Sequence, residues 1–309
     1  MHRSAFPACG RARCEAALVC ESANSECKNL AIPTTPIARA SRFLYYCAEL
    51  NLLLGRRAKV AELCRRSVAR SDYTKAYQLL AELELAGDNY LELLGRIHEH
   101  LKPETYIEVG VAWGDSLQLV RPETRALAID PEPLLKITPA PAHTVFRERS
   151  DDFFARHDVS AALGGRPLRM AFIDGMHQFE FALRDFINLE RLSEPNSLIF
   201  VHDVFPLDAR TAARERETRF WSGDIWRLIV LLKKHRPDLA VYTLAAPPTG
   251  LGLITRLDPQ SRTLAGQLPE LIREGLSTEF RSIAERKAEA LNLKAGDWPS
   301  VRRLIDERY

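Results

Sequence analysis

Two strand-end acids flank a glycine loop in this chain, and together they make a pattern that can hold a small charged molecule. The segment Tyr106-Ile107-Glu108-Val109-Gly110-Val111-Ala112-Trp113-Gly114-Asp115-Ser116 reads as an apolar strand, an acid, a turn with two glycines, and a helix start. Gly110 and Gly114 let the backbone approach a ligand closely. A helix start near Asp115 and Ser116 offers free N–H groups to a carboxylate. Glu108 can accept from an ammonium group. Asp130 ends the next apolar strand, Ala126-Leu127-Ala128-Ile129, and is placed to accept two ribose hydroxyl protons. A ligand with a carboxylate, an ammonium and a ribose is S-adenosylmethionine. A dinucleotide fingerprint needs G-x-G-x-x-G, and Ala112 and Asp115 stand where its second and third glycines belong. The Gly-Lys-Ser/Thr of a phosphate loop is absent.

A second set of chemistry-bearing residues follows two later strands. Ile173-Asp174-Gly175-Met176-His177 and His202-Asp203 both lie at carboxyl ends. His177, three residues past Asp174, sits where a general base for an alcohol belongs. Asp174 and Asp203 end neighbouring strands, so their carboxylates can converge. Two carboxylates with waters and substrate hydroxyls suit Mg²⁺ or Mn²⁺. The stretch Pro206 to Trp226 should cover these strand ends. It carries arginines and aromatics, of which Trp221 and Asp224 are the expected substrate-binding residues. Arg214-Glu215-Arg216-Glu217 reads better as a solvated face.

The elements that must position these groups alternate. Strands are expected at 105–109, 126–130, 143–147, 168–174 and 197–203, with a helix at 178–192 between the last two. Near-continuous apolar strands alternating with helices mean a parallel sheet covered on both faces. Ligands in such sheets sit at the carboxyl ends of the strands. A helix at 224–235 leads to strands at 239–244 and 251–256. The short turn between them, containing Pro247-Pro248-Thr249-Gly250, predicts an antiparallel edge hairpin.

The stretch from about 103 to 256 resembles a class I S-adenosylmethionine-dependent methyltransferase. The residues that carry the likeness are Glu108, Gly110, Gly114, Ser116 and Asp130, then Ile173-Asp174-Gly175-Met176-His177 and His202-Asp203. Within that superfamily it is similar to the branch of macrolide and sugar O-methyltransferases, which also includes a cephalosporin-modifying group. The resemblance implies a Rossmann-like, seven-stranded α/β sheet with a reversed last strand. It implies that Ser150 and Asp151 fall where the family contacts adenine. It also implies that Asp174 is a metal ligand and His177 the base. The family's third ligand is an acid immediately before the second aspartate, and here that position is His202. Imidazole is tolerable for Mn²⁺, Zn²⁺ or Fe²⁺ but poor for Mg²⁺. The implied activity is methylation of a hydroxyl on a small molecule or a sugar or glycan precursor. Rival readings keep the fold as a non-catalytic interaction scaffold, or as a metal-dependent relative with a different reaction.

The rest of the chain bounds these expectations. Residues 1–36 read as a loosely ordered tail carrying Cys9, Cys14, Cys20 and Cys27, whose spacings are not those of a zinc knuckle. Residues 37–101 read as three or four helices capping the next domain. Residues 102–258 form the cofactor-binding domain, and 259–309 further amphipathic helices. Apolar residues make up 46% and charged residues 27%, enough for an ordinary core. The net charge of +2 supplies no field for nucleic acid or an anionic membrane. No apolar run is long enough to span a bilayer, and the N-terminus lacks a secretory signal, so the expected location is cytoplasmic. The helical ends could support a homodimer.

Overall fold

The computed structural model describes residues 35–307. The four N-terminal cysteines and nearly all of the expected tail lie outside the described residues. Four helices come first: α1 (Pro36–Leu53), α2 (Arg57–Val68), α3 (Thr74–Glu84) and α4 (Tyr90–Leu101). Thr35 caps α1 by accepting from the Ala38 N–H, with Pro36 in the first turn where its missing N–H costs nothing. Asn89 caps α4 in the same way through the Leu91 N–H.

The alternating part follows as β1 (Thr105–Val109), β2 (Arg125–Ile129), β3 (His143–Phe146), α5 (Ser150–Arg156), α6 (Val159–Ala162), β4 (Leu168–Ile173), α7 (Phe179–Leu192) and β5 (Ser193–His202). Next come α8 (Trp226–His235), β6 (Ala240–Leu244) and β7 (Leu251–Thr255). The chain closes with α9 (Thr263–Gly266), α10 (Leu268–Ser277), α11 (Lys287–Ala290), the short β8 (Leu293–Lys294) and α12 (Trp298–Asp306). The sheet order is β3-β2-β1-β4-β5-β7-β6-β8. The strands from β3 to β5 are parallel, and β7 alone runs antiparallel to both its neighbours. This is the sheet with a reversed last strand, extended by an eighth, two-residue edge strand from the C-terminal segment.

Strand alternation divides the core into two faces. Ile107, Val109, Leu127, Ile129, Ala171 and Ile173 pack on one side against Phe179, Leu183 and Phe186 of α7. Tyr106, Ala126, Ala128, Met170 and Phe172 pack on the other against Leu93, Leu94 and Ile97 of α4 and Val301 and Ile305 of α12. Thus α4 and α12, from the regions expected to flank the central domain, seal one face of its sheet. Helices α1 to α3 form a separate cluster that takes in Leu207 and Phe220 from the loop after β5.

One expected element is missing. The glycine loop leads into a 3₁₀ turn, Leu117–Leu119, and not a helix. Pro122 lies three residues on, and the residue before a proline is pushed out of the helical region. Asp115 and Ser116 therefore do not open a helix with an anion-binding end.

Candidate active site

The carboxyl ends of β1, β2 and β4 open onto a cleft of about 650 Å³. That size suits a small-molecule cofactor. Gly110, Asp130, Ser150, Asp151, Asp174 and His177 all line it. Gly110 has φ +87°, and a Cβ there would lie 2.1 Å from the carbonyl oxygen of Asp174. Glycine is needed because β1 and β4 converge there: the Asp174 N–H bonds the Val109 carbonyl at 2.8 Å. Gly114, also at φ +87°, is required by packing, since a Cβ would sit 2.8 Å from the Ile137 side chain.

Asp130 draws the loop into shape. Its Oδ2 accepts from the N–H groups of Val111 at 2.8 Å and Ala112 at 2.9 Å, and its Oδ1 accepts from Glu132 at 2.8 Å. Asp151 forms a two-pronged pair with Arg184. Ser150 stands beside Asp185, an acid in the buried stripe of α7 that also lines the cleft. Burial pushes the Asp185 carboxyl up to about 7, against the opposing effect of Ser150. Asp185 was not among the expected site residues. Its signal in the sequence is an acid set into the apolar row Phe179, Ala182, Phe186 and Leu189.

Glu108 and Ser116 do not line the cleft. Alternation puts Glu108 on the Tyr106 face of the sheet, fully buried behind the loop. Its carboxyl accepts from the Ser116 hydroxyl at 2.6 Å and the Tyr106 hydroxyl at 2.9 Å. Burial raises it to about 8 despite those two bonds.

At the far end of the cleft Asp174 and His177, with the buried Asp203 behind them, present three donor atoms that all lie within 4.8 Å of one another. His177 Nδ1 is 2.7 Å from Asp203 Oδ2, and Nε2 is 3.9 Å from Asp174 Oδ1. The Nδ1 contact is close but poorly aligned for a hydrogen bond, so it acts mainly as a charge pair. Burial opposes charge on His177, yet Asp203 and Asp174 outweigh it and raise the imidazole to about 9. Asp203 is likewise opposed by burial but held below its ordinary value by His202 and His177. Both His177 (φ +52°) and Asp203 (φ +62°) occupy the left-handed region. Non-glycine residues there cost about 1–3 kcal/mol each and cluster at functional sites.

His202 falls outside this group. It belongs to the opposite face of β5, where its Nδ1 contacts Asp174 Oδ1 at 3.1 Å and its Nε2 faces the Thr249 hydroxyl at 3.3 Å. Tyr90, from the start of α4, stacks on the ring with centroids 4.0 Å apart. Both nitrogens are thus directed to protein groups, and Nδ1 also lies 3.6 Å from Asp203 Oδ2.

The cover divides in the same way. Trp221 stacks on His177, centroids 5.4 Å apart and planes within 9°, and its Nε1 donates to the Ala213 carbonyl at 2.7 Å. Asp224, expected to bind substrate, is wholly buried and bonds no open space. It accepts from the Phe179 N–H at the start of α7 at 2.7 Å and pairs with Arg227 and Arg214. Gly223 beside it has φ +65°, and a Cβ there would lie 2.0 Å from the His177 carbonyl. Asp224 and Gly223 therefore fasten the turn that carries His177. Arg214 also pairs with Glu180, so the Arg214–Glu217 tetrad is not uniformly solvated.

Residues 107–204 match the family described as a methyltransferase domain. Over this third of the chain, the likeness is to a methyltransferase domain. It spans the glycine loop, Asp130, Asp174, His177 and Asp203. No curated protein matches the chain. Among solved structures, the chain is similar to the O-methyltransferase TomG of tomaymycin synthesis from Streptomyces achromogenes, in complex with S-adenosylmethionine. That match has 17% identity over 54% of this chain and 79% of that one, at TM-score 0.42. An O-methyltransferase from Bacillus cereus with S-adenosylhomocysteine matches at 12% identity, 53% and 79% coverage, and TM-score 0.37. A putative O-methyltransferase from Klebsiella pneumoniae matches at 12% identity, 74% and 93% coverage, and TM-score 0.41. Among the described residues, no helix is long and apolar enough to cross a membrane.

Proposed function

We propose that this protein transfers a methyl group from S-adenosylmethionine to a hydroxyl of a small molecule or of a sugar or glycan precursor. The observation that carries this reading is a single cleft. It runs from Gly110 and Asp130, where a ribose and a methionine moiety fit, to the Asp174–His177–Asp203 cluster. In the reaction, the acceptor oxygen attacks the sulfonium methyl in line. A new C–O bond forms, the C–S bond breaks, and the hydroxyl proton passes to His177 Nε2. Asp203 holds the imidazole from its Nδ1 side, and Trp221 fixes the plane of the ring. The products are a methyl ether, S-adenosylhomocysteine and an imidazolium that must later shed its proton.

The donor set also fits a divalent cation, with Asp174 and Asp203 as the carboxylate ligands. An imidazole within reach favours Mn²⁺ over Mg²⁺. Such an ion supplies Lewis acidity that lowers the pKa of an acceptor hydroxyl. His177 cannot be a ligand and the base in the same turnover. The cleft-facing Nε2 favours the base.

The test is S-adenosylhomocysteine release from the purified protein across a panel of hydroxylated small molecules and sugars, with Mn²⁺, with Mg²⁺ and with chelator. His177→Ala should bind S-adenosylmethionine normally and turn over no panel member. Failure of the wild-type protein to bind S-adenosylmethionine in calorimetry, or methylation found only on nitrogen, would overturn the reading.

A further inference from the structure

The loop after β5 meets the His177 ring through Trp221, which lies flat against it, and the residues on either side of Trp221 are held elsewhere. Phe220 puts its ring into the α1–α3 cluster, where it stacks on Tyr77 with centroids 5.5 Å apart and planes within 10°. Ser222 is held from behind. The Thr211 carbonyl accepts from its N–H at 3.1 Å and from its hydroxyl at 2.9 Å. Thr211 is fixed in turn by Asp208, whose Oδ1 accepts from the Thr211 N–H at 2.9 Å. The other oxygen of Asp208 accepts from the Tyr77 hydroxyl at 3.2 Å.

Both neighbours of Trp221 therefore trace back to one residue. Tyr77 gives its ring face to Phe220 and its hydroxyl to the Asp208–Thr211 turn that carries Ser222. It is wholly buried, and a close-packed interior leaves its ring one setting. The rest of α3 secures the same loop. Asp72, just before α3, accepts from the Arg219 N–H at 2.9 Å. Glu84, at the end of α3, pairs with Lys287 at 2.9 Å, and the Lys287 ammonium donates to the Pro206 carbonyl at 2.8 Å. Neither α3 nor this loop contributes to the lining of the cofactor cleft.

We propose that Tyr77 is a positioning residue for the base. Through Phe220 on one side, and through Asp208 and Thr211 on the other, it sets Trp221 flat against His177, so that the helical cap completes the acceptor end of the site. This rests on the reading of His177 as the base. A displacement of about 1 Å near the reacting groups costs about a hundredfold in rate, so contacts this far from the chemistry register in kcat.

Trp221 emission reads the link without an acceptor, because a stacked imidazole quenches indole fluorescence. Each variant of the full chain is measured against its own Trp221→Phe form, which subtracts Trp113, Trp226 and Trp298. Tyr77→Phe keeps the stack and loses the hydroxyl, and Phe220→Leu keeps the hydroxyl and loses the stack. Both should raise Trp221 emission and bind S-adenosylhomocysteine within about twofold of wild type in calorimetry. On the best acceptor of the hydroxylated panel, both should lower kcat about five- to tenfold. In a Trp221→Ala background Tyr77→Phe should change kcat no further, since residues acting through one another are not additive. Full additivity in that cycle overturns the proposal. So does unchanged Trp221 emission in either variant, or a loss of S-adenosylhomocysteine affinity that matches the loss of kcat. A wild-type chain that binds no S-adenosylhomocysteine sinks the methyl-transfer reading instead, and Trp221 emission then decides the positioning role alone.

Discussion

Replacing Glu108 with glutamine separates a cofactor-contacting acid from one that supports the loop from behind. In the folded chain the Glu108 carboxyl is raised by burial from 4.5 to about 8. The unfolded chain loses this proton near pH 4.5 and the folded chain near 8. Between those values the folded state binds more proton, so stability falls as pH rises through that window. Both states are protonated below it, and above it the whole cost of burying the charge is present. At about 1.4 kcal/mol per pH unit, the full effect is roughly 5 kcal/mol. Glu108→Gln removes the titration and keeps an acceptor and a donor for the Tyr106 and Ser116 hydroxyls. The variant should match wild type near pH 5 and exceed it by several kcal/mol near pH 9. Urea unfolding of both proteins across that range measures the difference, and contributions from Asp185 and His98 cancel because both proteins share them. Calorimetry with S-adenosylhomocysteine adds a second readout. A buried support predicts affinity within about tenfold of wild type, whereas a direct ammonium contact predicts a loss above a hundredfold. A stability difference that stays flat with pH would refute the burial argument, and a collapse of affinity in a well-folded variant would return Glu108 to the ligand.

Four further outcomes follow from the site. Asp130→Ala removes the acceptor for the Val111 and Ala112 N–H groups, and S-adenosylhomocysteine affinity in calorimetry should fall about a hundredfold or more, with Asp130→Asn intermediate. His177 must be neutral to accept a proton and is raised to about 9, so kcat should climb with pH toward that value. The sulfonium charge of the cofactor lowers the apparent midpoint, and His177→Gln should lose about 10²–10⁴-fold in kcat together with the rising limb of the profile. Asp224→Ala leaves Arg227 and the start of α7 without their buried carboxylate, and should cost about 3–5 kcal/mol in chemical denaturation. Trp221→Ala should instead leave stability nearly intact, lower kcat by freeing the His177 ring, and raise KM for the acceptor.

The sheet was legible because its strands are short, apolar and bounded by turn residues. Both the parallel run and the reversed β7 could be read from connection lengths. The proline-rich turn leaves room only for a hairpin, while each parallel pair is separated by a longer crossover. What stayed hidden depends on which face a side chain takes. A parallel strand buried on both sides gives no polar face by which to orient it, so nothing in Tyr106-Ile107-Glu108-Val109 says whether Glu108 meets the ligand or the α4 side. The same ambiguity hides that His202 turns toward Asp174 and Tyr90. Asp203 escapes the strand through a left-handed residue while His202 stays in register with Phe200, under a tyrosine more than a hundred residues earlier. Buried acids are hidden for a different reason. Asp224 reads as a loop residue until Arg214, Arg227 and the Phe179 N–H converge on it.

Those corrections bear on the chemistry. Once Glu108, His202 and Asp224 are assigned to holding other groups in place, Asp174 and His177 remain at the cleft, with Asp203 buried behind His177. Each is held by a neighbour from a different element. His202 of β5 holds Asp174, Trp221 of the cover packs on His177, and the Thr249 hydroxyl in the β6–β7 turn helps hold Asp203 ionised. Two of the three sit on left-handed backbone that a loosely packed loop would relax. A base whose ring plane, charge partner and backbone are each fixed from a separate direction is preorganised for a proton at one position. Loosening the cover should therefore lower kcat before it lowers cofactor affinity, because the cover touches His177 and not Asp130.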